Sequence, residues 1–145
     1  MDSTESKKWW TIGLIAETVI TVIFIIFLGN YSSKLRNEYL QGKTMNLINA
    51  FNIMGDPGYI KYFFWSIVFI FLLIIVGFIA VRKGLKLPDG SDNYYRALLI
   101  LGYPAVNIIL LIVLFIVFYS PILLATMFGM VVLGIVILAF DSDQY

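Results

Sequence analysis

Glu17 is the one charged side chain well inside any of the long uncharged runs of this chain. It lies eight residues past Trp9, roughly 12 Å into the apolar stretch at the helical rise of about 1.5 Å per residue. A carboxyl group at that depth is costly, turns toward protein rather than lipid, and is a candidate for proton or substrate coupling. No Lys or Arg lies in any of the four runs, so its hydrogen-bond needs fall to neutral polar groups. Placing the third run in register with the first puts Tyr103 at roughly 9 Å and Asn107 at roughly 15 Å, with Glu17 between them. Tyr103 and Asn107 are four apart and share a helical face. Gly13 and Thr21 flank Glu17 on its own face, and Gly77 and Gly134 reach a similar depth on the other two runs. The expectation is a buried polar layer of Glu17, Thr21, Tyr103 and Asn107, closed by glycines that let helices approach. Ala125 and Gly129 form a further small-residue step for helix contact. Such a layer can fasten helices, receive a partner subunit or carry protons.

Other chemistries lack their residues. The chain has no His and no Cys. That removes the commonest general base, thiolate nucleophiles and the ligands of zinc sites. A serine hydrolase would lack its His, and no Asp lies inside a run to make an aspartyl pair. Asp89-Gly90-Ser91-Asp92 lacks the length and terminal Glu of a calcium loop. The expectation is a non-enzymatic protein with no metal and no cofactor. A net charge of +1 supplies no basic face for nucleic acid.

The elements that must position Glu17 are the runs themselves. Residues 9–28, 62–81, 97–119 and 121–140 are each close to the ~20 apolar residues that cross a bilayer as a helix. The chain has 145 residues, 61% of them hydrophobic and 13% charged, against roughly half apolar and a quarter charged in soluble domains. The first run follows Lys7 and Lys8 as a signal peptide would, but signal cores are only about 7–15 residues, so it reads as a retained span. Trp9 and Trp10 suit the headgroup layer. Gly29 and Asn30 are expected to end the first helix. In the loop 29–61, Met45, Leu47, Ile48, Phe51 and Met54 recur at helical spacing. They predict a short amphipathic helix over 44–54 that lies in the interface or caps the bundle. Gly55-Asp56-Pro57-Gly58 is a turn signal, as is Pro88-Asp89-Gly90 in the loop 82–96. Tyr119-Ser120-Pro121 reads as a tight turn, with Ser120 an N-cap and Pro121 in the first turn of the fourth span. Spans three and four would then insert as an antiparallel hairpin.

Charge bias sets the orientation. With the N-terminus inside, Lys7, Lys8, Arg82, Lys83, Lys86 and Arg96 are cytoplasmic, and Lys34, Arg36, Lys43 and Lys61 lie outside. Both termini are therefore expected inside, in a cell membrane of bacterial type. Arg82, Lys83, Lys86 and Arg96 form a basic rim that anchors the protein or meets anionic lipid or a cytosolic partner. Asp141 and Asp143 could pair with Arg82 or Arg96.

Leu14-Ile15-Ala16-Glu17-Thr18-Val19, in the first of four spans, resembles the small multidrug resistance transporters. The resemblance implies that Glu17 binds protons and cationic drugs. It covers these six residues and the span count. The long first loop, and a third span without the Trp of that family, depart from its pattern.

The reading is thus all-α: a polytopic integral membrane protein, four transmembrane helices in a bundle, one amphipathic helix in the first loop, and a single membrane domain over 1–145. The leading function is an accessory or regulatory subunit, immunity-type included, that contacts the bilayer and either a membrane-protein partner or a second copy of itself. The alternative is a small proton-coupled transporter or channel using Glu17.

Overall fold

A computed structural model of the chain describes residues 3–90 and 92–143, without the side chains of 3, 4, 120, 142 and 143. The side chains of Ser120 and Asp143, given capping and pairing roles above, thus lie outside the described residues. The protein is all-α, with no strand among the described residues. Its elements are α1 (Ser3–Leu35), a π-helical turn (Arg36–Leu40), α2 (Leu47–Met54), α3 (Tyr59–Leu85), α4 (Asn93–Ala97), a second π-turn (Leu98–Gly102), α5 (Tyr103–Phe118), a third π-turn (Tyr119–Leu123) and α6 (Leu124–Asp143). Four helical stretches are long and apolar enough to cross a membrane: Glu5–Leu40, Tyr59–Leu85, Asn93–Phe118 and Pro121–Asp141. The chain divides into two compact units, Met1–Ile26 with Ser66–Phe115, and Phe27–Trp65 with Ile116–Tyr145.

In the first unit, the buried positions of α3 are Ser66, Leu73 and Ala80, seven apart. That spacing draws a narrow seam along the helix. Leu99, Tyr103, Asn107, Leu110 and Leu114 form the buried stripe of the helix that carries α5, at steps of three and four. Ala80, Tyr95, Leu99 and Tyr103 make a core against which Trp10, Leu14 and Val76 pack. Gly84 allows a close approach there: a Cβ on it would fall 2.6 Å from Ile100 Cγ1 in the second π-turn. Asp92 caps α4 by accepting from the Tyr94 N–H at 2.9 Å, and also receives the Lys7 ammonium at 2.7 Å. Asp92 is thereby held below the usual carboxylate range, by Lys7 first and the Tyr94 N–H second.

In the second unit, α1 does not stop at Gly29-Asn30. Leu28, Tyr31, Ser32 and Leu35 are all buried, and their offsets of three, four and seven residues from Leu28 make a core-facing helical stripe. Burial of that stripe outweighs the ~1 kcal/mol penalty of one glycine in a helix. The helix ends later, at Gln41 and Gly42, whose φ values of 49° and 79° break the helical path. Asn46 caps α2 by accepting from the Asn49 N–H at 2.8 Å, so α2 starts three residues after the predicted position. Its buried side is Ala50 and Ile53, whereas Leu47, Ile48 and Phe51 of the predicted apolar face are exposed. The small residues Ala50 and Ala125 allow the close packing of α2 on α6. The larger apolar side chains are left for a lipid-facing side.

Residues 116–143 are helical throughout, so the coil turn expected at Tyr119-Ser120-Pro121 is absent. Phe118 and Leu124, on either side of the π-turn, both keep helical dihedrals. Proline lacks an N–H and crowds the carbonyl four residues back, here Val117. A widened π-turn accommodates such a residue. The Ser32 hydroxyl, itself buried, donates to the Val117 carbonyl at 3.3 Å.

Candidate functional site: the cavity at Glu17

Glu17 lies in the first unit on the wall of an open cavity of about 420 Å³. Gly13, Glu17 and Thr21, one helical turn apart on α1, line it together with Trp10, Phe69 and Tyr103. The apolar walls come from the helical repeat: α1 turns this face inward, and α3 contributes Phe69 and Val76. Phe69 stacks on Phe24 with centroids 4.4 Å apart.

Tyr103 is held from two directions. Its ring meets Trp10 edge-on, with centroids 5.2 Å apart and planes at 82°. Its hydroxyl donates to the Trp10 carbonyl. Gly13 makes room for that hydroxyl, since a Cβ there would sit 3.1 Å from it. Asn107 lies near Glu17, with no hydrogen bond between the two side chains. Its Nδ2 donates to the Leu73 carbonyl at 2.8 Å, and a second hydrogen remains on the same nitrogen. Gly77 faces this amide, with a would-be Cβ 3.3 Å from Nδ2.

Both Glu17 carboxyl oxygens, Thr21 Oγ1, Asn107 Oδ1 and the Tyr95 hydroxyl are buried without a hydrogen-bond partner. Thr18, next to Glu17, spends its hydroxyl on the Leu14 carbonyl at 2.8 Å. Buried polar groups are normally satisfied, and clustered exceptions point to a role or an occupant. The described residues contain no group of three or more metal-ligating side chains. The arrangement can accept a proton at the carboxyl group, or two or three hydrogen bonds from a donor that enters the cavity.

The structure thus brings Glu17, Thr21, Tyr103 and Gly13 to one cavity and sets Asn107 and Gly77 beside it. It does not bring the remaining glycines there. Gly129 belongs to the second unit and packs on α2: a Cβ on it would lie 2.8 Å from Met54 Sδ. Gly134 has nothing within 4 Å of such a Cβ, so it closes no polar layer. It lies where α6 is apolar on every side, with Val131, Leu133, Ile135 and Leu138 all exposed.

Of the basic rim, Arg82, Lys83 and Lys86 are exposed. The Lys83 ammonium sits 5.2 Å over the Trp10 ring. Arg96 is turned into its own loop, donating to the Pro88 carbonyl at 2.9 Å.

Asp56 carries a second polar centre, in the second unit, that its turn signal does not reveal. It is buried and accepts from the Tyr31 hydroxyl at 2.6 Å, the Tyr39 hydroxyl at 2.8 Å and the Gly58 N–H at 3.1 Å. Burial raises the Asp56 carboxyl, but these three donors and the Lys34 ammonium outweigh it and hold the group below the usual carboxylate range. An acid in a turn flanked at distance by tyrosines is the only sequence signal, and it is a weak one.

Comparison with protein-family models, curated proteins and solved structures finds no match. The six-residue likeness around Glu17 therefore stands without support from a family model.

Proposed function

We propose that this chain is a small non-enzymatic membrane protein that acts as an accessory or regulatory subunit, binding a second membrane protein within the bilayer. The single observation behind this reading is the Glu17 cavity. Its two carboxyl oxygens and Thr21 Oγ1 are buried without partners, in a cavity that is open on one side and walled by apolar and aromatic groups. A donor side chain on a partner's helix would satisfy what this chain leaves unsatisfied, in a medium where unpaired polar groups cost several kcal/mol, on the order of 2–7. Immunity-type inhibition of a membrane-active protein belongs to the same class. The proposed location is a cell membrane of bacterial type, with both termini on the cytoplasmic side. The contact of Lys7 with Asp92 supports one part of this, a common side for the N-terminal segment and the loop 82–96.

The test is recovery of a stoichiometric membrane protein with the full-length chain in mild detergent, comparing Glu17→Gln with Glu17→Leu. The amide keeps hydrogen bonding, so Glu17→Gln should retain the partner, and Glu17→Leu should lose it. Retention by both variants refutes a role for the cavity.

A second reading, a proton-coupled transporter or channel, draws on the same unsatisfied carboxyl group and its neighbours Tyr103 and Asn107. It expects Glu17→Gln to abolish pH-dependent flux in proteoliposomes; flux that keeps its pH dependence excludes it.

A further inference from the structure

The second unit contains another cavity, of about 400 Å³. Phe27, Asn30, Tyr31 and Lys34 line it from α1, Asp56 from the turn and Tyr62 from α3. Lys34 acts electrostatically on Asp56 and faces the same space. Yet the ion pair present among the described residues is Lys7 with Asp92, not Lys34 with Asp56. A cation and an anion thus share one cavity without closing on each other. An ionised carboxylate offers about four acceptor positions. Asp56 uses three, on Tyr31, Tyr39 and Gly58, which leaves one, on a residue that lines the cavity. Tyr31 and Tyr62 stack with centroids 4.2 Å apart and form an aromatic wall, a surface that attracts cations; the Lys61 ammonium already lies 5.7 Å over the Tyr62 ring.

From this we infer that the cavity holds the headgroup of a phosphatidylethanolamine-type lipid, a phosphate diester bearing a primary ammonium. The phosphate meets Lys34 and the Asn30 amide. The ammonium donates to the open position of Asp56 and lies against the tyrosines. Depth selects a lipid over a soluble zwitterion. Phe27 belongs to the apolar run 9–28, while Lys34 is two helical turns further on, roughly 10 Å at 1.5 Å per residue. The cavity therefore spans the edge of the hydrocarbon and the headgroup layer. The chemistry also discriminates among headgroups. A choline ammonium has no N–H for Asp56, and a glycerol headgroup has no cation.

Native mass spectrometry of the full chain, delipidated and then given an equimolar mixture of phosphatidylethanolamine, phosphatidylcholine and phosphatidylglycerol with identical acyl chains, tests the inference. One phosphatidylethanolamine should be retained about tenfold over the others, the worth of one charge-assisted hydrogen bond. Lys34→Gln removes the phosphate contact that the three lipids share, so it should lower the retention of all of them. Lys34 is exposed and donates none of the hydrogen bonds to Asp56, so this variant should keep the wild-type melting temperature. Soluble glycerophosphoethanolamine at the same concentration should not compete. Equal retention of the three lipids, retention that Lys34→Gln leaves unchanged, or full competition by the soluble headgroup would each overturn it.

Discussion

The side-chain amide of Asn107 donates to the main-chain carbonyl of Leu73 at 2.8 Å, across the space left by the missing side chain of Gly77. The carbonyl belongs to α3, and Gly77 is one turn further along the same helix. Asn107 is thus fixed by a backbone atom, with one N–H still available to Glu17. Close approach and polar contact depend on each other here, as small residues and hydrogen bonds commonly do between helices in lipid.

Gly77→Ala brings a Cβ to 3.3 Å from Asn107 Nδ2, and Gly77→Val adds two methyl groups to that contact. The alanine variant should melt slightly lower in detergent. The valine variant should lose about 1–3 kcal/mol through overpacking. Asn107→Leu should lose about 0.6 kcal/mol and no more than about 1.7, the measured mean and maximum for interhelical hydrogen bonds in a membrane protein. A valine variant as stable as wild type would show that α3 and α5 do not approach here.

Ser32 and Pro121 form a compensating pair through Val117. Ser32→Ala strands a carbonyl that Pro121 has already deprived of its helical donor, and should cost about 1 kcal/mol. Pro121→Ala restores that donor, so Ser32→Ala should cost much less in the Pro121→Ala background. A double-mutant cycle on melting in detergent measures the coupling. Additive effects would contradict the arrangement.

The Asp56 hydrogen bonds carry a pH dependence. The folded carboxyl group titrates below its unfolded value of about 3.9. Its stabilisation is therefore complete above that value, and is lost as the pH falls through the lower folded value. Melting temperatures of the wild type and Asp56→Asn, compared from pH 7 to pH 3, should differ most at pH 7 and converge at the acid end. A constant gap would mean that the charge of Asp56 contributes nothing.

Gly129 and Gly134 should respond oppositely to the same change. Gly129→Val meets the end of the Met54 side chain, which must swing aside, and should raise hydrogen exchange modestly across residues 47–54. Gly134→Val meets open space, and should change stability by no more than about 0.5 kcal/mol, as at other uncrowded positions. Equal effects would argue against the contact at Met54.

The path of α1 shows why helix ends are harder to read than helix existence. Gly29-Asn30 is a proper stop signal, yet the buried stripe of Leu28, Tyr31, Ser32 and Leu35 carries the helix through it. Local propensity is worth about 1 kcal/mol at such a position, less than one buried side chain contributes. Asn46 is an ordinary N-cap that hydrophobic spacing alone passes over. At Gly134, depth along the chain suggested a partner, but depth does not say which way a helix face turns.

What the sequence determined by itself was the all-α class, four segments able to cross a membrane, and one carboxyl group among them without a cation in any run. These follow from composition and length, which set the cost of exposing backbone and charge to lipid wherever the helices come to lie. Tertiary structure decided which neighbours each polar group meets. It set Gly13 and Gly77 against Tyr103 and Asn107, and gave Asp56 its tyrosines across 25 and 17 residues of chain. It also turned Ser32 toward the carbonyl that Pro121 frees. Each of these rests on a contact of a few ångströms between distant residues, and only the packing of helix on helix selects such contacts.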